Sequence, residues 1–165
     1  MAAPAPAPGP GRIRWTEGQS AAVNARRELP ALVSGYFARV RDLMAKEPSA
    51  PRLHRVRLAT KRLWYTLELF RSCYGPGLET RLAELREIQQ VLGDVNDCEA
   101  ARRLLSKRMA VSPQKERVEK FLASRLAAKA LDFRTHWTGV FDVPGRERWW
   151  TGYLAREART PARRA

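Results

Sequence analysis

Arg52-Leu-His-Arg-Val-Arg-Leu-Ala-Thr-Lys-Arg-Leu-Trp-Tyr-Thr-Leu-Glu-Leu-Phe70 decides the fold of this chain. At about 100° per residue, with His54 at zero, Arg57 falls near 300°, Lys61 near 340° and Tyr65 near 20°. Val56, Ala59, Leu63, Leu67 and Phe70 fall between about 140° and 220°. The segment is therefore a two-faced helix. One face is apolar and turns to a core; the other stacks an imidazole, a guanidinium and an ammonium. Arg55 and Arg62, near 100° and 80°, widen that face on one flank. Arg52, Arg55, Arg57, Lys61, Arg62 and Arg71 stand against Glu68 alone.

Working outward, helical spacing continues in both directions, and no stretch alternates as a half-buried strand does. Upstream, Leu29, Leu32, Val33, Tyr36, Phe37, Val40, Leu43 and Met44 recur every three or four residues, predicting a first helix near 17–46. Thr16 with Gln19 forms a capping-box pattern at its start, and Pro30 is expected to kink or restart it. Pro51 suits the first turn of the second helix, which should run to Gly75-Pro76. A third helix is expected from Gly77 to about Lys107, with Gly93 a candidate bend. Ser112-Pro113 reads as N-cap and first residue of a fourth helix carrying Val118, Phe121, Leu122, Leu126, Phe133 and Trp137. Trp149-Trp150-Thr151-Gly152-Tyr153-Leu154 reads as a short final piece capping the assembly. Short connections favour antiparallel neighbours, so the expected architecture is all-α: an antiparallel four-helix bundle with a short C-terminal helix.

The chain has 165 residues, room for one domain. Residues 1–14, almost all Ala, Pro and Gly, read as a disordered tail, 15–154 as the helical domain, and 155–165 as a basic, frayed end. Lys and Arg number 31 against 17 acids, a formal net charge of +14. Most of that excess lies on the body, so anionic partners are expected. Cys73 and Cys98 stand alone, without a CxxC or a neighbouring His, and read as small apolar fillers of a cytoplasmic protein rather than disulfide or zinc residues. No apolar run is long enough to span a membrane, and the first residues lack the order of a secretion signal.

A row of cations repels itself unless something negative compensates it. Acids of a neighbouring helix or solvent ions could do so, leaving an ordinary charged surface. The alternative is a phosphate-binding strip of His54, Arg55, Arg57, Lys61, Arg62 and Tyr65, with Arg52, Arg125 and Lys129 as candidate extensions. Arg offers two-pronged donors to phosphate oxygens, Lys a compact charge, and His a donor once protonated. Such a ladder suits a repeating polyanion better than a single small ion. His136 beside Trp137 reads as structural. Asp94, Asp97 and Glu99 are expected to cap or pair with the basic helix rather than hold a metal. Arg102, Arg103, Lys107 and Arg108 read first as ordinary surface charge, with an extended phosphate track as the second reading. No phosphate-binding glycine loop, zinc-helix motif or nucleophile elbow is present, so an enzyme is not expected, nor is a cofactor.

The run His54-Arg-Val-Arg-Leu-Ala-Thr-Lys-Arg-Leu-Trp-Tyr-Thr-Leu-Glu68, followed by Leu92-Gly-Asp-Val-Asn-Asp97, resembles the CHAD family, the conserved histidine α-helical domain. His54, Arg57, Lys61, Arg62, Tyr65 and Glu68 match its basic helix, and Leu92, Gly93 and Asp97 its second element. Trp64 departs from the pattern, which often has Arg there. The resemblance implies a helical, non-catalytic domain that binds inorganic polyphosphate and is often found at polyphosphate granules. It also implies two four-helix halves forming one basic channel, whereas this chain has length for one. A homodimer that brings two basic helices to one groove is the corresponding expectation. Two other readings of the same charge are a protein bound to the nucleic-acid backbone and a helical interaction protein for acidic partners.

Overall fold

The computed structural model describes residues 13–160. Five α-helices follow one another: α1 (Ala21–Met44), α2 (Ala50–Leu69), α3 (Pro76–Arg108), α4 (Pro113–His136) and α5 (Arg146–Arg156). A 3-10 turn at Arg71–Cys73 and a π-helical turn at Trp137–Phe141 are the remaining regular elements. No strand occurs among the described residues, and none of their helices is long and apolar enough to cross a membrane.

The helices pack in neighbouring pairs: α4 along α3, α3 along α2, α2 along α1 and α1 along α5. The core lies between them. It is built from the α1 stripe, Leu53, Val56, Leu63 and Leu67 of α2, and Leu78, Leu82, Leu85, Ile88 and Leu92 of α3. Phe37, Trp137, Phe141 and Trp150 close one side as an aromatic stack, with Trp137 and Phe141 centroids 5.0 Å apart. The polar contact in this core is Tyr36, whose hydroxyl lies 2.9 Å from that of Thr60 and so ties α1 to α2. Burial pushes the Tyr36 phenol well above its usual range.

Local starts and stops differ in places from the sequence expectation. Ser20, not Thr16, caps α1: its hydroxyl accepts from the Val23 N–H. Thr16 instead belongs to a turn whose backbone is held by the buried Asn24 side chain. Neither Pro30 nor Gly93 breaks its helix; both α1 and α3 run through, because packing on both sides of the substituted turn outweighs a local penalty of a few kcal/mol or less. α2 stops at Leu69, short of Gly75. Ser112 does cap α4, accepting from the Lys115 N–H.

The ends are more firmly seated than composition suggests. Residues 1–12 and 161–165, most of the two expected tails, lie outside the described residues. Ile13 packs against the core, the Arg14 N–H donates to Glu28, and Trp15 stacks on Phe70. At the other end Ala158 is fully buried, its carbonyl accepting from Arg26, and the Arg159 N–H donates to the Cys73 carbonyl at 2.7 Å. The final helix is thus a full partner of α1. Arg81 pins it: the guanidinium lies 3.4 Å from the Trp149 ring centroid and 3.8 Å from that of Tyr153, and donates to the Gly77 and Trp149 carbonyls. Gly77 is required there, since a Cβ would meet the Tyr153 ring at 2.7 Å.

Candidate polyanion-binding face

The helix α2 carries its cations where they do least for its own stability. Arg52, His54, Arg55 and Arg57 occupy its first two turns, with no acid in the first turn and no base in the last. The helix dipole favours the opposite arrangement, and the positive N-terminal end adds to the potential of these side chains. Departures of this kind from local preference mark functional surfaces.

The predicted residues all stand on α2, spread over about 160° of its circumference. His54, Arg55, Lys61, Arg62 and Tyr65 are exposed and Arg57 is half-buried. Among the described residues, no carboxylate lies within 4.0 Å of any of these five side chains that carry nitrogen. Lys61 rests over the Tyr65 ring, its Nζ 5.7 Å from the centroid. Glu68, the acid of this helix, is taken by Arg71 at 2.8 Å, and Arg71 also holds Glu79 at 2.5 Å. The row's own negative charge is thereby neutralised at its far end. Trp64 lies beneath Arg86 of α3, so α3 supplies a cation where the family pattern often places one on α2.

His54 has a directional role. Its Nδ1 lies 3.3 Å from Asn96 Oδ1 on α3. With Nδ1–H donating there, Nε2 of the neutral ring accepts hydrogen bonds and becomes a donor to phosphate only when the ring is protonated.

Beside His54 a cavity of about 600 Å³ opens between the start of α2 and the second half of α3. Arg103 and Lys107 of α3 stand on its rim with His54 and Arg55. Lys107 extends the positive surface, whereas Arg103 is paired at 3.2 Å with Glu99, which lines the same cavity; the sequence offers both first as ordinary surface charge. Their spacing of four was visible, but the register of α3 against α2 was not. Of the candidate extensions, Arg52 donates to the Glu47 carbonyl at 3.0 Å and, two residues before His54, falls near about 160° on the helix, away from the row. Arg125 and Lys129 belong to α4, which packs on α3 rather than beside α2. Lys129 is moreover held by Asp94 at 3.1 Å, so these two are not brought to the α2 row.

The acids pair differently from expectation. Asp94 meets Lys129 of α4, and Glu99 meets Arg102 and Arg103 of its own helix, leaving the α2 cations free. His136 is half-buried, and Cys73 and Cys98 are buried free thiols. Among the described residues no group of three His, Cys, Asp or Glu side chains is placed to hold a metal ion.

The described residues thus form an all-α domain in which the cations of one helix have no carboxylate partner. The family model of the CHAD domain matches residues 5–106, well over half of the chain, so this protein belongs to the CHAD family. CHAD domains are known in general for binding polyphosphate. The matched region ends within α3, and α4 and α5 lie beyond it. No curated protein and no solved structure matches the chain.

Proposed function

We propose that this protein binds inorganic polyphosphate along the outer face of α2, without catalysing a reaction on it. The observation that carries this reading is the row of Arg55, Arg57, Lys61 and Arg62 with no carboxylate partner, in a protein of the CHAD family. Arg57 and Arg62 grip phosphate oxygens two at a time, Lys61 adds a point charge, and protonated His54 donates through Nε2. Lys107 prolongs the contact past the His54 end. From His54 to Lys61 the row extends about 10 Å along the helix, enough for several phosphates of a linear chain. Localisation at polyphosphate granules follows from such binding.

Competition tests this reading against nucleic acid. With polyphosphate bound, duplex DNA at equal phosphate concentration should displace little of it, because the narrow row fits an unbranched chain without sugars. Displacement of most of the polyphosphate would favour a nucleic-acid-binding role for the same surface. Retention of binding after Arg57→Ala with Lys61→Ala would remove the α2 face from the account.

A further inference from the structure

Helix α4 is unlike the other helices in how little of it is covered. Of its 24 residues only Ala130 and Phe133 are buried, although the chain from Leu104 to Leu131 carries six exposed large apolar residues. Phe121 is 61% and Leu131 62% exposed. Of the six, Val118, Phe121 and Leu131 stand on α4 itself, and large apolar groups gathered on one uncovered side of a helix are a feature of interaction surfaces.

The exposed side of α4 has an order of its own. Leu122, Leu126, Lys129, Ala130 and Phe133 turn towards α3. On the opposite side, Phe121, Ser124, Ala128, Leu131 and Thr135 recur at alternating spacings of three and four, within about 80° of one another at 100° per residue. That is the a/d spacing of a two-helix coiled coil, with Phe121 and Leu131 as its large apolar members and the small Ser124 and Ala128 between them leaving room for close approach. Arg117 ends the strip. Arg125 and Asp132 lie together along one edge, and Lys120, Ala127 and Arg134 along the other. Arg125 has no carboxylate within 4.0 Å among the described residues, and Asp132, 62% exposed, reaches only Lys129 at 3.8 Å.

We infer that α4 is the surface on which two copies of this chain associate, antiparallel, about a two-fold axis between Ala128 and Leu131. In that register Ala128 of one copy meets Leu131 of the other, and the symmetry brings each Arg125 beside an Asp132 twice over. The other edges set Ala127 near Arg134, which is neutral in effect. A parallel pair would instead face Lys120 with Arg125 and repel. The edge charges thus select both the partner, a second copy, and its direction. Asp94 faces α4 and Asn96 faces α2, nearly opposite sides of α3. The pair therefore carries two separate α2 faces on its outer sides rather than one merged groove. Only this consequence, a stronger grip on long polyphosphate chains through two sites, rests on the proposed function.

Molar mass by light scattering and sedimentation of the full chain, without polyphosphate, decides the matter. The wild type should show twice the chain mass, more completely as salt screens the repulsion between two +14 chains. Leu131→Glu and Arg125→Asp should each return it to the mass of one chain with helicity unchanged, and Arg125→Asp combined with Asp132→Arg should restore the doubled mass. A single-chain mass for the wild type at every accessible concentration and salt would overturn the inference. So would a dimer that survives both single variants. Neither result bears on polyphosphate binding, which is measured separately.

Discussion

Two sets of arginines in this molecule meet opposite fates. Around α5, Arg41 is bound by Asp142 and Glu147, both at 2.6 Å, Arg146 by Glu84, and Arg81 lies between aromatic rings with its donors on carbonyls. On α2, Arg55, Arg57, Lys61 and Arg62 have no such partners among the described residues. The first set holds the C-terminal helix to the bundle; the second forms no ion pair among the described residues and repels itself. Cations that a fold keeps at its own expense are explained by what they meet outside it.

The sharpest way to break this contrast is to reverse charge on the free set. Arg57→Glu with Lys61→Glu should weaken polyphosphate binding by about two orders of magnitude, since each lost charged contact and each new repulsion costs on the order of 1 kcal/mol or more. Denaturant unfolding should show stability unchanged or slightly raised, because the row repels itself. The converse substitution, Arg81→Ala, should lower stability by about 2–3 kcal/mol in the same unfolding measurement while leaving polyphosphate affinity at the wild-type value. Its guanidinium is already strained by burial, which pulls its pKa down to about 10, yet its removal leaves two carbonyls and two rings without their partner.

A smaller effect concerns Tyr36, between the two regions. Burial raises its phenol, so the folded chain keeps a proton that the unfolded chain loses above about pH 10. Stability therefore falls as pH rises through that range. Tyr36→Phe should cost about 1 kcal/mol at pH near 8 through the lost bond to Thr60, and should flatten the alkaline decline seen in denaturant unfolding. Smaller again is the effect at the end of the row. His54→Ala should weaken polyphosphate binding severalfold in titrations, through the loss of one contact beside the four cations.

The two-faced character of α2 was legible in the sequence because one helix contains both faces, and 100° per residue sorts them. The same holds for Ser112-Pro113, where cap and first residue are adjacent. What was not legible depended on register between helices. Arg103 and Lys107 join His54 only because α3 runs beside α2, and Lys129 leaves the row because Asp94 meets it. Phe121 and Val118 have the spacing of core residues, yet both stand exposed, because α4 has α3 as its main helical partner and its remaining sides are uncovered. Periodicity announces an apolar face and is silent on what covers it. Likewise Ala158 is a small residue in a basic end, and only the fold shows it fully buried.

The central claim is that the free cations of α2 meet successive phosphates. The most direct test is the slope of log affinity for long-chain polyphosphate against log salt, in the wild type and after successive Arg57→Ala, Lys61→Ala and Arg62→Ala substitutions. Each should reduce the slope by about 0.7–0.9, the counterion release of one phosphate contact. A slope that stays at the wild-type value through all three would contradict the account.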